Sequence, residues 1–240
     1  MIAADGTLYA GNRFERSVYA QNPETGAKLR ELTQLGPDSA LGRNGLIYGS
    51  NDSGLFAADL ATGAARWAVP GARGAILGAD GTLYLRAGST TIGSQDSRLY
   101  PVTPQGTSKW QATVAIGNNP PSIGADGTLY LVSQRGKLTA HDPLTGAEKY
   151  SFSAPGQTPT AFGNAAIASD NTVYFTSRTV DTGSVVVSRL FALTGATGAL
   201  NWTFVLPGAF TSPQFSAPVI GPDGTVYLMD DDNAQVVAVG

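Results

Sequence analysis

A five-residue motif recurs six times along this 240-residue chain, and that recurrence restricts the fold more than any single residue does. It runs Asp5-Gly6-Thr7-Leu8-Tyr9, Asn44-Gly45-Leu46-Ile47-Tyr48, Asp80-Gly81-Thr82-Leu83-Tyr84, Asp126-Gly127-Thr128-Leu129-Tyr130, Asp170-Asn171-Thr172-Val173-Tyr174 and Asp223-Gly224-Thr225-Val226-Tyr227. The second residues of the six motifs, at 6, 45, 81, 127, 171 and 224, stand 39, 36, 46, 44 and 53 apart. Such a period fits one supersecondary unit per repeat, whose apolar faces are covered only when neighbours stack on them.

Each repeat reads as four short strands. An apolar stretch such as Ala75-Ile76-Leu77 or Ala217-Pro218-Val219-Ile220 leads into the Asp-Gly turn, where both residues tolerate positive φ, and the Thr-Leu-Tyr strand follows. A third strand (Ser17-Val18-Tyr19-Ala20, Gly54-Leu55-Phe56-Ala57, Lys137-Leu138-Thr139-Ala140, Arg189-Leu190-Phe191-Ala192, Gln235-Val236-Val237-Ala238) ends in a second turn such as Asn22-Pro23-Glu24-Thr25-Gly26 or Asp142-Pro143-Leu144-Thr145-Gly146. There an Asx side chain caps its own backbone and Gly supplies positive φ. Four residues past that Gly a fourth strand carries Trp67, Trp110, Tyr150 or Trp202, whereas the first repeat has Arg30. Strands such as Leu83-Tyr84-Leu85 are apolar on both faces, so both faces need cover. The expected fold is all-β: a β-propeller of six four-stranded antiparallel blades in one domain, with blades at about 1–38, 39–73, 74–119, 120–159, 160–213 and an incomplete 214–240.

Composition excludes several partners and chemistries. Lysine and glutamate number only four each and net charge is −3, which leaves no basic field for nucleic acid and no polybasic run for anionic lipid. No 18-residue apolar stretch suits a membrane-spanning helix, and no charged segment followed by an apolar one opens the chain at Met1. There is no cysteine for disulfides, thiolate metal sites or nucleophiles, and the lone His141 ends a third strand, where a packing role is expected. No nucleophile elbow, P-loop or dinucleotide fingerprint is present.

The stretches Ala140-His141-Asp142-Pro143-Leu144-Thr145-Gly146-Ala147-Glu148-Lys149-Tyr150 and Ala57-Ala58-Asp59-Leu60-Ala61-Thr62-Gly63-Ala64-Ala65-Arg66-Trp67 resemble the repeat of quinoprotein-type (PQQ-like) β-propellers. The resemblance implies that Trp67, Trp110, Tyr150 and Trp202 take that family's tryptophan-docking position, wedging one blade against the next. Those four are expected to be largely buried and Arg30 more exposed. The family includes quinone-dependent alcohol dehydrogenases, longer rings of eight blades, many with an adjacent-cysteine pair. It also includes the non-catalytic lipoprotein of the outer-membrane protein assembly machine. The absent cysteines and the shorter repeat series place this chain with the non-catalytic envelope branch: no enzyme, no catalytic residue and no cofactor are expected.

Candidate binding positions follow from loop length. The tyrosine-to-third-strand links are longest in the third and fifth repeats, with insertions at 87–97 and 177–188, and the links leaving the fourth strand lengthen late in the chain. Loops on a rigid frame are where recognition concentrates. Phe162, Arg178, Asp181, Phe210 and Phe215 therefore make up the expected partner-binding face, although the phenylalanines serve equally well as plugs between blades. Asp230 and Asp232, in the run Asp230-Asp231-Asp232-Asn233, offer hard oxygens to a cation but lack the spaced ligands and glycine of an EF-hand loop, and read first as a solvated turn.

Three functions remain open: a non-enzymatic scaffold for protein or other macromolecular partners in a bacterial envelope, periplasm or extracellular assembly; a small-molecule or carbohydrate site in a central channel; or a structural subunit of a fibre or surface layer. The sixth repeat supplies three strands, so an outer strand is expected to be added at Gln235 to Val239 by residues beyond this segment or by another chain, and the expected partner is another protein or a second copy.

Overall fold

The Asp-Gly motif works as a repeated corner. In the computed structural model, which describes all residues except 13, 15, 16, 34, 37, 38, 43, 52, 88–96, 115–119, 162, 181–185, 207–215 and 231–233, the aspartate Oδ1 accepts the backbone N–H of the residue two further on at Asp5, Asp80, Asp126, Asp170 and Asp223. The next residue takes a left-handed φ, +81° at Gly81 and +82° at Gly127; in the fifth repeat Asn171 does so at +67°, the kind of residue that tolerates αL best after glycine. Each corner joins a short first strand to the Thr-Leu-Tyr strand.

Among the described residues, twenty-three strands follow in chain order. The first sheet holds β1 (Leu8–Asn12), β2 (Ser17–Gln21) and β3 (Lys28–Thr33), with an isolated bridge from Ile2 to Leu8. The second holds β4 (Ala40–Leu41), β5 (Leu46–Asn51), β6 (Gly54–Asp59) and β7 (Ala65–Pro70), and the third β8 (Ala72–Leu77), β9 (Leu83–Ala87), β10 (Ser97–Val102) and β11 (Ala112–Val114). The fourth holds β12 (Ser122–Ile123), β13 (Leu129–Val132), β14 (Lys137–His141) and β15 (Glu148–Ser153). The fifth holds β16 (Gln157–Thr160), β17 (Ala166–Ile167), β18 (Thr172–Val180), β19 (Val186–Thr194) and β20 (Leu200–Val205), and the sixth β21 (Val219–Ile220), β22 (Val226–Asp230) and β23 (Gln235–Val239). All pairings are antiparallel, the fifth sheet departs from a simple meander in that β16 and β17 both pair with β18, and no helix occurs among the described residues. The chain divides into two compact units, Met1–Gly88 with Tyr100–Lys109, and Ser89–Leu99 with Trp110–Gly240.

Cores form between successive sheets within each unit. In the first unit, Val18, Ala20 and Leu32 pack with Ile47 and Ala58, and Tyr48, Leu55 and Ala57 pack with Leu83, Leu85 and Val102. In the second, Tyr130, Val132, Leu138 and Ala140 pack with Val173, Phe175, Phe191 and Leu193, the rings of Phe175 and Phe191 stacked at 5.2 Å. This accounts for strands apolar on both faces in the second sheet, whose residues pack on the first sheet through Ile47 and Ala58 and on the third through Tyr48, Leu55 and Ala57.

The fifth repeat departs from expectation. The stretch 177–188 reads as a loop insertion, yet most of it is strand: β18 and β19 are nine residues each and stay in register from Thr172↔Thr194 to Val180↔Val186. The added strand β16 lies along the extension, Gln157 opposite Val180 and Thr160 opposite Arg178. Runs of Thr and Val carry the strands outward, because β-branched residues favour the pleated conformation.

One cross-strand row repeats. The motif tyrosine, a third-strand alanine and the docking residue stand side by side as Tyr9–Ala20–Arg30, Tyr48–Ala57–Trp67, Tyr130–Ala140–Tyr150 and Tyr174–Ala192–Trp202. The four alanines are fully buried. A methyl in the middle position lets the flanking large side chains lean together over it, and Tyr48 meets Trp67 at 5.8 Å between ring centroids. Ala140→Leu should therefore wedge Tyr130 from Tyr150 and cost about 1–3 kcal/mol of stability in urea unfolding, whereas the exposed Ala147→Leu should change it by less than about 0.5 kcal/mol.

Candidate functional site

In the first four repeats the residue four past the second-turn glycine reaches forward to the second turn of the following repeat. Trp67 donates its indole N–H to Pro104 O at 2.9 Å, Trp110 to Pro143 O at 3.1 Å, and Tyr150 its hydroxyl to Gly195 O at 2.8 Å. Arg30 does the same with its guanidinium, donating to Leu60 O at 2.9 Å and also to Ala61 O. In every case the acceptor Leu60, Pro104, Pro143 or Gly195 is the second residue of its turn. Each ring lies flat on that turn's glycine: a Cβ added at Gly106 would sit 2.7 Å from Trp67, at Gly146 2.6 Å from Trp110, and at Gly198 2.3 Å from Tyr150. Glycine is thus required twice over, for a φ of +73° to +87° and for the ring above it.

The turn is preassembled to receive that ring. Asp142 Oδ1 accepts the N–H groups of Leu144 and Thr145 at 2.9 and 2.8 Å and the Thr145 hydroxyl at 2.9 Å. Asp59 caps its turn in the same way, and Arg66 joins it at 2.7 Å. The Arg66 hydrogen bond, reinforced by Thr62, holds the Asp59 carboxyl down at about 2, and the Thr145 backbone N–H leads the lowering at Asp142. His141 braces the fourth turn from behind. Because a carbonyl only accepts, its Nδ1 carries the proton donated to Gly146 O at 3.0 Å, and Nε2 accepts from the Thr139 hydroxyl at 3.0 Å. Burial lowers its pKa below the ordinary 6.5. The packing role expected of His141 is the one it plays.

The expected burial needs correction. Trp67, Trp110 and Tyr150 are half-buried, each against the turn that accepts its hydrogen bond, and it is Arg30 and Trp202 that depart from expectation. Arg30 is half-buried like them, since a flat guanidinium on a long stem meets the same demand for a planar donor. Trp202 is 39% exposed; its ring is tilted by 48° against that of Tyr174 at 5.7 Å between centroids, and it donates to no carbonyl among the described residues. Asp230 is buried at 3% exposure at the end of β22 and not in a solvated turn, and no group of three His, Cys, Asp or Glu residues suited to a metal is found among the described residues. Arg178 lies half-buried in the β18 extension. Phe162, Asp181, Phe210, Phe215 and Asp232 lie outside the described residues.

Sequence reasoning missed the acceptor carbonyls and the buried alanines. The invariant second-turn spacing signalled the first, and the Ala closing almost every third strand the second.

With this geometry in place, comparison with known structures defines the class. The chain is similar to KlHsv2 with a replaced loop (TM-score 0.68, 10% identity, covering 100% of this chain and 83% of that one). It is similar to the β-propeller domain of Cps50 (Swd1) from Myceliophteria thermophila (TM-score 0.65, 12% identity, 99% and 80%) and to BamB from Moraxella catarrhalis (TM-score 0.58, 16% identity, 98% and 85%). No family model and no curated protein matches the chain. The fold is that of a β-propeller with six antiparallel blades.

Two outcomes follow. Trp67→Ala should cost about 3 kcal/mol in reversible denaturation, and Trp202→Ala in dilute solution about 1 kcal/mol or less, because only the first vacates a covered site. For His141 the depressed folded pKa means that stability is full above about pH 6.5 and falls as the unfolded chain takes up the proton below it. The capping aspartates, also depressed, add a second loss only below their unfolded value of 3.8. His141→Gln should flatten the urea-midpoint profile between pH 5 and 7 and leave the acid limb intact.

Proposed function

We propose that the protein is a non-enzymatic β-propeller scaffold that binds another protein through the side carrying the links between second and third strands, in a bacterial envelope or outside the cell. The β18–β19 hairpin carries this reading. It projects past the common strand length, is widened by β16, and is pinned by Ser177 Oγ donating to Thr160 O at 3.0 Å and by Arg189 donating to the Thr179 hydroxyl at 2.6 Å. A braced hairpin of this kind presents side chains at low entropic cost, which favours recognition. Compartment rests on the likeness of the repeat to PQQ-like propellers. The exposed β23, with Val236 at 66% exposure, adds an edge able to accept a strand from a partner.

The capping aspartates support the non-enzymatic part, because Asp5, Asp59, Asp80, Asp142, Asp170 and Asp223 spend their oxygens on turn N–H groups. Titrating the protein with pyrroloquinoline quinone and calcium in a calorimeter should give no saturable heat; one quinone bound per chain would contradict the proposal. A photo-crosslinking residue placed at Arg178 should, in the native host, yield an adduct of defined mass that the same residue at Leu144, 78% exposed on the opposite turns, does not. Adducts at Leu144 alone, or at neither position, would refute the assignment of the binding side.

A further inference from the structure

Between the second and third sheets lies a cleft of about 410 Å³, lined among the described residues by apolar Leu41, Leu77 and Pro104 and by polar Asn44, Tyr48 and Asp80. The corresponding place between the fourth and fifth sheets is filled. Gly81 stands where the fifth repeat has Asn171, Gly42 where the fourth has Gly124, Tyr48 where the fourth has Tyr130, and Pro104 where the fifth has Gly195. Asn171 takes the same left-handed backbone as Gly81, φ +67° against +81°, and its carboxamide reaches across. A Cβ added at Gly124 would meet the Asn171 Oδ1 at 3.3 Å, and one at Gly195 would meet its Cγ and Nδ2 at 2.8 Å. Gly81 brings no such group, so the cleft between the second and third sheets stays open.

The polar groups around this cleft suit the group that fills its counterpart. Asn44 Nδ2 donates to the Tyr48 oxygen at 3.0 Å, and the return path from the Tyr48 hydroxyl to Asn44 Oδ1 is long, at 3.5 Å, so the phenolic proton is available to an acceptor in the cleft. In the fourth repeat the same proton is donated to Gly195 O at 3.2 Å. Burial pushes the Tyr48 pKa up, which keeps that proton in place. The Thr82 backbone N–H, at 3.0 Å, leads in holding the Asp80 carboxyl below its ordinary value, and the Thr82 hydroxyl bonds the other oxygen at 2.8 Å. Each carboxylate oxygen keeps a second lone pair for an incoming N–H.

We propose that the cleft between the second and third sheets binds a small uncharged ligand carrying a carboxamide, either a simple aliphatic amide or an acetamido sugar, whose carbonyl accepts from the Tyr48 hydroxyl and whose N–H donates to Asp80. Its volume of about 410 Å³ falls within the usual span of ligand sites, about 300–1,000 Å³, and leaves room beside the carboxamide for the rest of the ligand against Leu41 and Leu77. The site uses no residue of the β18–β19 hairpin and stands or falls independently of the proposed binding side.

Titrating the nitrogen-15-labelled full chain with acetamide and with N-acetylglucosamine tests this, because the Trp67 indole N–H donates to Pro104 O in the cleft wall and reports what enters. The Trp67 indole signal should shift saturably with at least one of the two, the Trp110 signal should not, and the tighter of the two identifies the source of the amide. Acetate, of the same shape but charged, should bind about ten-fold more weakly, because it brings a second carboxylate beside Asp80. Gly81→Asn, whose own carboxamide would take the place that Asn171 takes in the other cleft, should abolish the shift with unchanged circular dichroism. Should Gly81→Asn fail to fold, Tyr48→Phe, which keeps the ring but loses the donor, should weaken binding about five-fold, the equivalent of one hydrogen bond. A Trp67 signal that saturates with neither amide, acetate or ethylammonium binding as tightly as the better amide, or a folded variant that binds as wild type does would each overturn the proposal.

Discussion

Everything in this fold leans on one contact: a planar donor on a fourth strand lying on the glycine of the next repeat's second turn and reaching its second carbonyl. The sheets are small, with first strands of only two residues in several repeats, and none has a core of its own. Burial between sheets supplies most of the driving force, but apolar packing is non-directional and would allow neighbouring sheets to slide. A hydrogen bond with a required donor position, closed over a glycine that admits the ring at one place only, fixes how each sheet meets the next.

The same contact explains why the turns are so uniform. The Asx cap, the left-handed glycine and, in the fourth repeat, the buried neutral His141 all serve to hold a carbonyl in place before the ring arrives. Residues that look chemical in isolation are absorbed into that task. Aspartates hold their protons weakly because backbone N–H groups and Arg66 stabilise the carboxylate, and the histidine holds its extra proton weakly because burial disfavours the charged ring more than the Gly146 carbonyl favours it. Perturbed titration here reports architecture.

The fold was legible because the repeat is: six Asp-Gly-type corners and five second turns allow hardly any other arrangement of short strands. Trp67, Trp110 and Tyr150 were legible as docking residues from their constant distance to a glycine. Arg30 was misread because an aromatic was sought where the site asks for a flat donor, which guanidinium also provides. The exposure of Trp202 was not legible, since a side chain's burial depends on what covers it and not on its own identity. The fifth hairpin was hidden by counting link length alone; the Thr and Val content of 172–180 and 186–187 was the available signal that the link is strand. Asp230 was drawn toward solvent by its acidic neighbours, although strand alternation turns it inward.

The indole N–H groups of the three tryptophans give the most direct test, because each reports one position of the interlock. In a dilute, uniformly nitrogen-15-labelled sample transferred to heavy water, the indole signals of Trp67 and Trp110 should persist long after backbone signals of exposed turns have vanished, while that of Trp202 exchanges within the first spectrum. Assignment by single Trp→Phe variants identifies each peak. Three indole signals that exchange equally fast, or a protected Trp202 beside an unprotected Trp67 and Trp110, would contradict the account.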